Sequence, residues 1–191
     1  MLHNRRSAAA AAVVLPVLLI AASRPDNVSD LWTLRIADRE TKPLIQTSDV
    51  ERNGEISPDG RWLAYESIAN RESNIVVQPF PNVGDGQWRV TTGGASQPVW
   101  SRDGKELFYL DGADVLTSVR VESGAAFERG APVRVLPRAY VSTVATYGGR
   151  QYDLSPDGKR FLMMKDAGIA NDAQGPSITV VQNFFDELRK R

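Results

Sequence analysis

Three copies of one ten-residue phrase constrain the fold of this chain more than any other feature of its sequence. Each copy runs from a hydrophobic residue through Ser and an Asp-Gly pair to a hydrophobic segment, and the copies occupy residues 56–65, 100–109 and 154–163. The aspartates of the Asp-Gly pairs are 44 and 54 residues apart. Spacing of this kind predicts a repeated structural unit rather than three unrelated motifs.

The centre of each copy has the composition of a tight turn. In Ser57-Pro58-Asp59-Gly60, proline presets φ at the second position and glycine accepts the left-handed conformation that ends a type I turn. A calcium site needs about six to eight oxygen ligands, whereas each turn supplies one carboxylate. The residues that we therefore assign to turn formation are Asp59, Gly60, Asp103, Gly104, Asp157 and Gly158.

The segment after each turn is hydrophobic at consecutive positions, as in Trp62-Leu63-Ala64-Tyr65. A half-exposed strand would alternate between polar and apolar residues, so these strands need cover on both faces. Counted along the chain, the strand-like segments form groups of two, four, four and three. The pattern predicts an all-β fold, a partial β-propeller with about three four-stranded blades plus part of another. A segment near the N-terminus can lend the missing strand of the last blade.

The N-terminal segment differs in composition from the rest of the chain. In residues 1–23 a basic start precedes a hydrophobic stretch that ends with small residues at Ala21 and Ser23, as in an export signal. We predict a short hydrophobic helix here, which is a cleaved signal peptide or an uncleaved anchor. The alternative is a start without structure. The blades are assigned to residues 26–182, and a basic tail to residues 183–191. The folded part is then periplasmic or anchored outside the cytoplasm, and it meets the membrane only through an uncleaved N-terminal segment.

The composition excludes several kinds of chemistry. Charge is balanced at 23 basic and 23 acidic residues, so there is no basic footprint for nucleic acid. The chain has no cysteine and its one histidine is His3, which removes disulfides, thiolate metal sites and a Ser-His-Asp triad from the folded part. We therefore expect no catalytic residues, metal ligands or cofactor, and we expect that the chain is not an enzyme.

The repeated phrase resembles the TolB-like (WD40-like) β-propeller repeat, which also occurs in the propeller domains of prolyl-oligopeptidase-type peptidases. Residues 88–110 are similar to the propeller that follows the kinase domain in certain bacterial membrane serine/threonine kinases, and residues 177–184 resemble its last strand. The sequence has no phosphate-binding Gly-rich loop, no His-Arg-Asp loop and no Asp-Phe-Gly motif. The resemblance therefore implies a propeller without kinase activity.

Five side chains are candidates for ligand binding at one mouth of the propeller channel. Asn53, Gln97 and Gln151 each lie six residues before a turn aspartate, where the innermost strand of a blade begins. Arg52 and Arg150 each lie one residue earlier and favour an anionic partner. The alternative is that the amides bond to neighbouring inter-blade loops and that the arginines are solvated or paired.

Three functions fit these features. The first is a non-catalytic module of the bacterial cell envelope that binds a protein, a peptide or a small ligand. The second is an orphaned or truncated sensor domain of a bacterial serine/threonine kinase. The third is the propeller part of a prolyl-oligopeptidase-type peptidase that lacks its catalytic domain, although no Gly-x-Ser-x-Gly motif is present.

An incomplete ring leaves two blade faces uncovered and two strand edges unpaired. We predict that the isolated chain associates with itself to complete a ring of about six to eight blades, or aggregates, unless another chain supplies the missing blades. Analytical ultracentrifugation measures this directly. A stable monodisperse monomer would contradict the prediction.

Overall fold

A computed structural model describes residues 17–25, 28–123, 126–137, 149–163 and 179–181, which form four antiparallel sheets. We call the sheets blades 1 to 4 in chain order. Blade 1 contains β1 (Val17–Ser23), β2 (Ser29–Arg35) and β3 (Thr41–Ile45). Blade 2 contains β4 (Val50–Ile56), β5 (Trp62–Ala69), β6 (Glu72–Pro79) and β7 (Trp88–Arg89), with a short 3₁₀-helix at Val83–Asp85.

Blades 3 and 4 repeat the same up-and-down arrangement. Blade 3 contains β8 (Ala95–Trp100), β9 (Glu106–Asp111), β10 (Leu116–Ser123) and β11 (Phe127–Arg134). Blade 4 contains β12 (Tyr152–Leu154), β13 (Phe161–Met163) and β14 (Thr179–Val181). Strands pair in chain order within every blade. The predicted all-β partial propeller is confirmed.

The repeated phrase forms the same turn each time. In the first copy the Gly60 amide donates to the Ser57 carbonyl at 2.8 Å, and the Ser57 hydroxyl donates to Asp59 Oδ1 at 2.5 Å. Gly60, Gly104 and Gly158 have φ of 71°, 70° and 69°, a left-handed conformation that costs glycine little. Each turn joins the first two strands of its blade.

The middle strands are buried from both sides by the neighbouring blades. On β5, Trp62 and Ala64 belong to a hydrophobic cluster shared with blade 3, whereas Leu63 and Tyr65 belong to a cluster shared with blade 1. Trp62 meets Phe127 of blade 3 edge to face, with ring centroids 5.4 Å apart. Consecutive hydrophobic residues are therefore required, because each side of the strand faces a different blade.

The hydrophobic N-terminal segment is a strand where it is described. Val17–Ser23 pair antiparallel with β2 along their whole length, and Leu19 packs against the cluster between blades 1 and 2. The helix predicted for this segment is therefore wrong for residues 17–23, because pairing with β2 satisfies the backbone and buries part of the apolar surface.

Two further expectations concern the ends of the chain. β1 joins blade 1 and does not complete blade 4, whose β14 pairs with β13. Residues 1–16 and the tail 183–191 lie outside the described residues. Among the residues that are described, no helix is long and apolar enough to cross a membrane.

Leu63→Ala is expected to lower the free energy of unfolding by about 2–5 kcal/mol, because Leu63 is fully buried between blades 1 and 2. Leu162→Ala is the matched control, since Leu162 is 49% exposed and its truncation should cost less than about 1 kcal/mol. Urea unfolding followed by tryptophan fluorescence measures both variants. Equal losses would contradict two-sided burial of β5.

Candidate functional site

The first strands of blades 2, 3 and 4 converge on a common axis. Arg150, just before β12, bonds through Nη1 to Glu55 Oε2 of β4, although blade 3 lies between these blades in the chain. We call the end of the propeller at which β4, β8 and β12 begin the mouth face. The opposite end, which carries the three Asp-Gly turns, is the turn face.

Two of the predicted mouth residues occupy β-bulges. Asn53 and Gln97 have φ of 52° and 58°, and the strand register shifts at both positions. A left-handed residue in a strand reorients the backbone and side chain locally. Gln151 lies at the same register, immediately before β12. The shared position of these residues therefore has a structural basis in the bulges of blades 2 and 3.

A fully buried carboxylate receives the donors that the blade 2 bulge presents. Glu66 on β5 is 0% exposed, and it pairs with Arg52 Nη2 at 2.7 Å. Asn53 Nδ2 donates to Glu66 Oε2 at 2.9 Å, and the backbone N–H of Gln97 in blade 3 donates to the same oxygen at 3.3 Å. A buried carboxylate is tolerable only when it is paired and hydrogen-bonded. Glu66 therefore ties blade 2 to blade 3.

The next junction uses Gln97 as the acceptor. The backbone N–H of Gln151 donates to Gln97 Oε1 at 2.7 Å, and the Tyr152 hydroxyl donates to the backbone carbonyl of Gln97 at 2.7 Å. The structure thus brings Asn53, Gln97 and Gln151 into one inter-blade hydrogen-bond chain. These contacts agree with the alternative in which the three amide residues bond between blades, rather than with donors that are free to bind a ligand.

Arg150 is also paired, and its partner is partly buried. Glu55 accepts from Arg150 and from the Trp100 amide, the latter at 3.4 Å, while the Trp100 indole donates to the Glu55 carbonyl at 3.1 Å. Burial raises the pKa of Glu55 above its ordinary value, and Arg150 opposes that shift. Arg52 and Arg150 therefore neutralise carboxylates of the propeller itself.

Two other carboxylates are buried where blades 1 and 2 meet. Asp30 accepts from Gln46 Nε2 at 2.9 Å, and Glu51 accepts from the Thr47 hydroxyl. Burial raises the pKa of Glu51. Within the described ranges, no group of three or more His, Cys, Asp or Glu side chains is placed to hold a metal ion.

The mouth face carries a cavity of about 590 Å³ on the outer side of the junction between blades 2 and 3. One wall is the link Thr91–Gly94, and the other is the β9–β10 loop with the nearby part of β11. A Cβ on Gly112 would lie 2.5 Å from the Gly93 carbonyl oxygen, so only glycine allows the loop to approach the link this closely. The cavity is thus formed by backbone packing between two blades.

The charged groups of this cavity are not all neutralised. Asp111 accepts from the Ala113 and Val115 amides at 2.9 and 3.0 Å, and from Arg134 Nε at 3.1 Å. Burial acts to raise the pKa of Asp111, but these donors outweigh it and the pKa is lowered. Arg129 also lines the cavity, and its side chain makes no ion pair or hydrogen bond with any residue that the structure describes.

A second cavity of similar size lies on the turn face between blades 3 and 4. It has a volume of about 570 Å³, and its lining includes Arg102, Lys105, Arg120, Asp103, Glu106 and Asp157. Three cations therefore face three acids. Arg102 is already committed to the carbonyls of Leu154 and Ser155. In the mouth-face cavity, by contrast, two arginines line the same space as one carboxylate.

Sequence reasoning missed the residues that define these contacts. Glu66 carries one signal, a charge inside an otherwise hydrophobic strand. Tyr109 and Arg129 carry none, because their position at the same cavity as the Thr91–Gly94 link depends on how two blades pack. Long-range packing of this kind has no local pattern.

Solved structures of other proteins share the fold of this chain. No protein-family model matches the chain, and a search of the curated proteins finds no match. A solved structure from Agrobacterium tumefaciens, described as a TolB, has 18% identity and a TM-score of 0.59 over 86% of this chain and 60% of that one. TolB from Acinetobacter baumannii has 16% identity and a TM-score of 0.54 over 85% of this chain and 40% of that one. The predicted TolB-like propeller fold is confirmed, and this chain spans 60% or less of the length of these two proteins.

Some of the solved structures that are similar to this chain are named as enzymes. A periplasmic gluconolactonase from Pseudomonas aeruginosa has 14% identity and a TM-score of 0.49 over 87% of this chain and 53% of that one. Other similar structures are named as a peptidase and as 6-phosphogluconolactonases. These named enzymes contradict the prediction that this chain is not an enzyme, which does not stand as an exclusion. The lack of Cys and folded His excludes triads, but carboxylates, Tyr and Arg remain able to serve in catalysis. A fold likeness at this identity assigns no reaction.

Arg52→Gln is expected to lower the free energy of unfolding by about 3 kcal/mol or more, because it leaves the Glu66 charge buried without a cation. Adding Glu66→Gln removes that charge and should recover part of the loss. Urea unfolding of the single and double variants measures the coupling.

Arg150→Gln is the control for this experiment. Its ion pair with Glu55 is partly exposed, so the loss should be about 1 kcal/mol or less. Equal effects of Arg52→Gln and Arg150→Gln, or no recovery in the double variant, would contradict the role assigned to Glu66.

Proposed function

We propose that this chain is a ligand-binding β-propeller module of the bacterial cell envelope, and that ligands bind on its mouth face. The observation that carries the proposal is the cavity of about 590 Å³ between blades 2 and 3. Binding sites for small molecules commonly have volumes of about 300–1,000 Å³ and combine an apolar wall with a few polar groups. This cavity has Val90 and the Tyr109 ring as apolar surface, and hydroxyls and guanidinium groups beside them.

The envelope location is supported by the composition of residues 1–23, which has the order of an export signal. Val17–Ser23 also form β1 in the folded chain. Cleavage after Ser23 would remove β1 and leave the edge of β2 unpaired. The proposed binding form is therefore the one that retains β1 on the extracytoplasmic side.

A protein or peptide partner is part of the same proposal. Among the described residues, the exposed large hydrophobic side chains are Leu18 (55%) and Ile36 (58%) near blade 1, Val133 (62%) in blade 3 and Leu162 (49%) in blade 4. Exposed apolar surface at a sheet face or edge favours association. A second copy of the chain, or another chain with blades of its own, would cover these residues.

A screen by NMR tests the proposed ligand site. The panel contains neutral sugars, amino acids, short peptides, carboxylates and phosphate esters, and binding is followed at the amides of Gly94, Gly112 and Thr117. At least one class of compound is expected to shift these signals. Ala113→Trp, which places an indole at the cavity, should raise the Kd of that binding at least about tenfold.

Ala37→Trp is the matched control, because Ala37 is exposed in the turn between β2 and β3 and lies away from the cavity. It should leave binding unchanged. The proposal fails if no compound in the panel shifts the cavity amides, or if Ala113→Trp and Ala37→Trp bind equally well.

A further inference from the structure

The charges in the mouth-face cavity specify the chemistry of its ligand, an inference that rests on the function proposed above. Two guanidinium groups, Arg129 and Arg134, and one carboxylate, Asp111, line the cavity. Arg134 pairs with Asp111 at 3.1 Å, so these two charges largely cancel. The positive charge of Arg129 is left over.

Asp111 does not oppose an incoming anion as a free carboxylate would. Its oxygens already accept from two backbone amides, from Arg134 and, at 3.4 Å, from the Thr117 hydroxyl. Glu72 lies beyond the link and accepts from the Gly93 amide at 3.2 Å. Glu72 does not line the cavity, but its negative charge next to the link disfavours ligands that carry many negative charges.

A second donor lines the same cavity as Arg129. Tyr109 is 4% exposed and lines the cavity, and its hydroxyl makes no hydrogen bond to the described part of the chain. Burial raises the pKa of Tyr109, while Arg129 opposes the shift, so the hydroxyl keeps its proton at neutral pH. The cavity thus offers a protonated phenol as well as a guanidinium to an incoming oxyanion.

We infer that the cavity binds a small molecule through a carboxylate or phosphate group, with Arg129 as the principal cation and Tyr109 as a second donor. Arginine suits this role because its planar fork of N–H donors matches the geometry of both oxyanions. The exposed Thr92 hydroxyl and the Gly94 backbone lie at the same cavity and can contact the rest of the ligand.

Three compounds with related skeletons distinguish the sources of the oxyanion. Glycerol 3-phosphate carries a phosphate, glycerate carries a carboxylate, and glycerol carries neither. NMR titration at constant ionic strength measures the Kd of each compound for the full chain. Both anions, or one of them, should bind at least tenfold more tightly than glycerol, about the effect of one charge-assisted hydrogen bond. The tighter anion identifies the source.

Two variants assign the binding to its residues. Arg129→Gln should weaken anion binding about tenfold or more, and Tyr109→Phe should weaken it less. Arg120→Gln is the matched control, because Arg120 is an exposed arginine of the same blade that lines the turn-face cavity instead. It should leave the Kd unchanged.

The outcomes separate the two claims. If glycerol binds as tightly as the anions, or if Arg129→Gln and Arg120→Gln have equal effects, the anion inference is overturned while the ligand site stands. The anion inference is likewise overturned, and the ligand site again stands, if neither anion binds but neutral compounds from the wider screen shift the cavity amides. If nothing in either experiment binds, the proposed function falls with the inference.

Discussion

Burial of the middle strands from both sides is the constraint on which the rest of this structure depends. Leu63 and Tyr65 on one side of β5, and Trp62 and Ala64 on the other, complete the hydrophobic clusters of two different neighbours. No blade therefore contains a complete hydrophobic core of its own. The free energy gained by folding one blade depends on whether its neighbouring blade is folded. Turns, links and polar contacts are arranged around that shared burial.

The polar features follow from how the blades meet around an axis. Near the axis the first strands come close enough for side chains to bond between blades. Glu66 accepts there from Arg52, Asn53 and the backbone N–H of Gln97. At the mouth end of the same junction, the mouth-face cavity lies between the Thr91–Gly94 link and blade 3. The inner contacts hold the ring together, and the outer space is available for a ligand.

Local patterns predicted part of this arrangement well. The Asp-Gly turns and the doubly hydrophobic strands are short-range features, so their number and order could be read directly. The segment Val17–Ser23 was misjudged because its hydrophobicity suits a helix or a signal equally well, whereas pairing with β2 is a choice made in three dimensions. The register of Asn53, Gln97 and Gln151 was recognisable, but their partners were not. The cavity around Arg129 joins parts of the chain that share no motif, and the absence of His and Cys was too narrow a basis for excluding catalysis.

Native-state amide hydrogen exchange, followed by NMR, tests the shared core most directly. If blades 2 and 3 depend on each other, the amides of β5, β6, β9 and β10 should be the most protected and should exchange through one common opening free energy. Amides of the end blades should exchange faster, because each of those blades has one described neighbour. Separate opening free energies for blades 2 and 3, or protection in blade 4 equal to that in blade 3, would contradict the account.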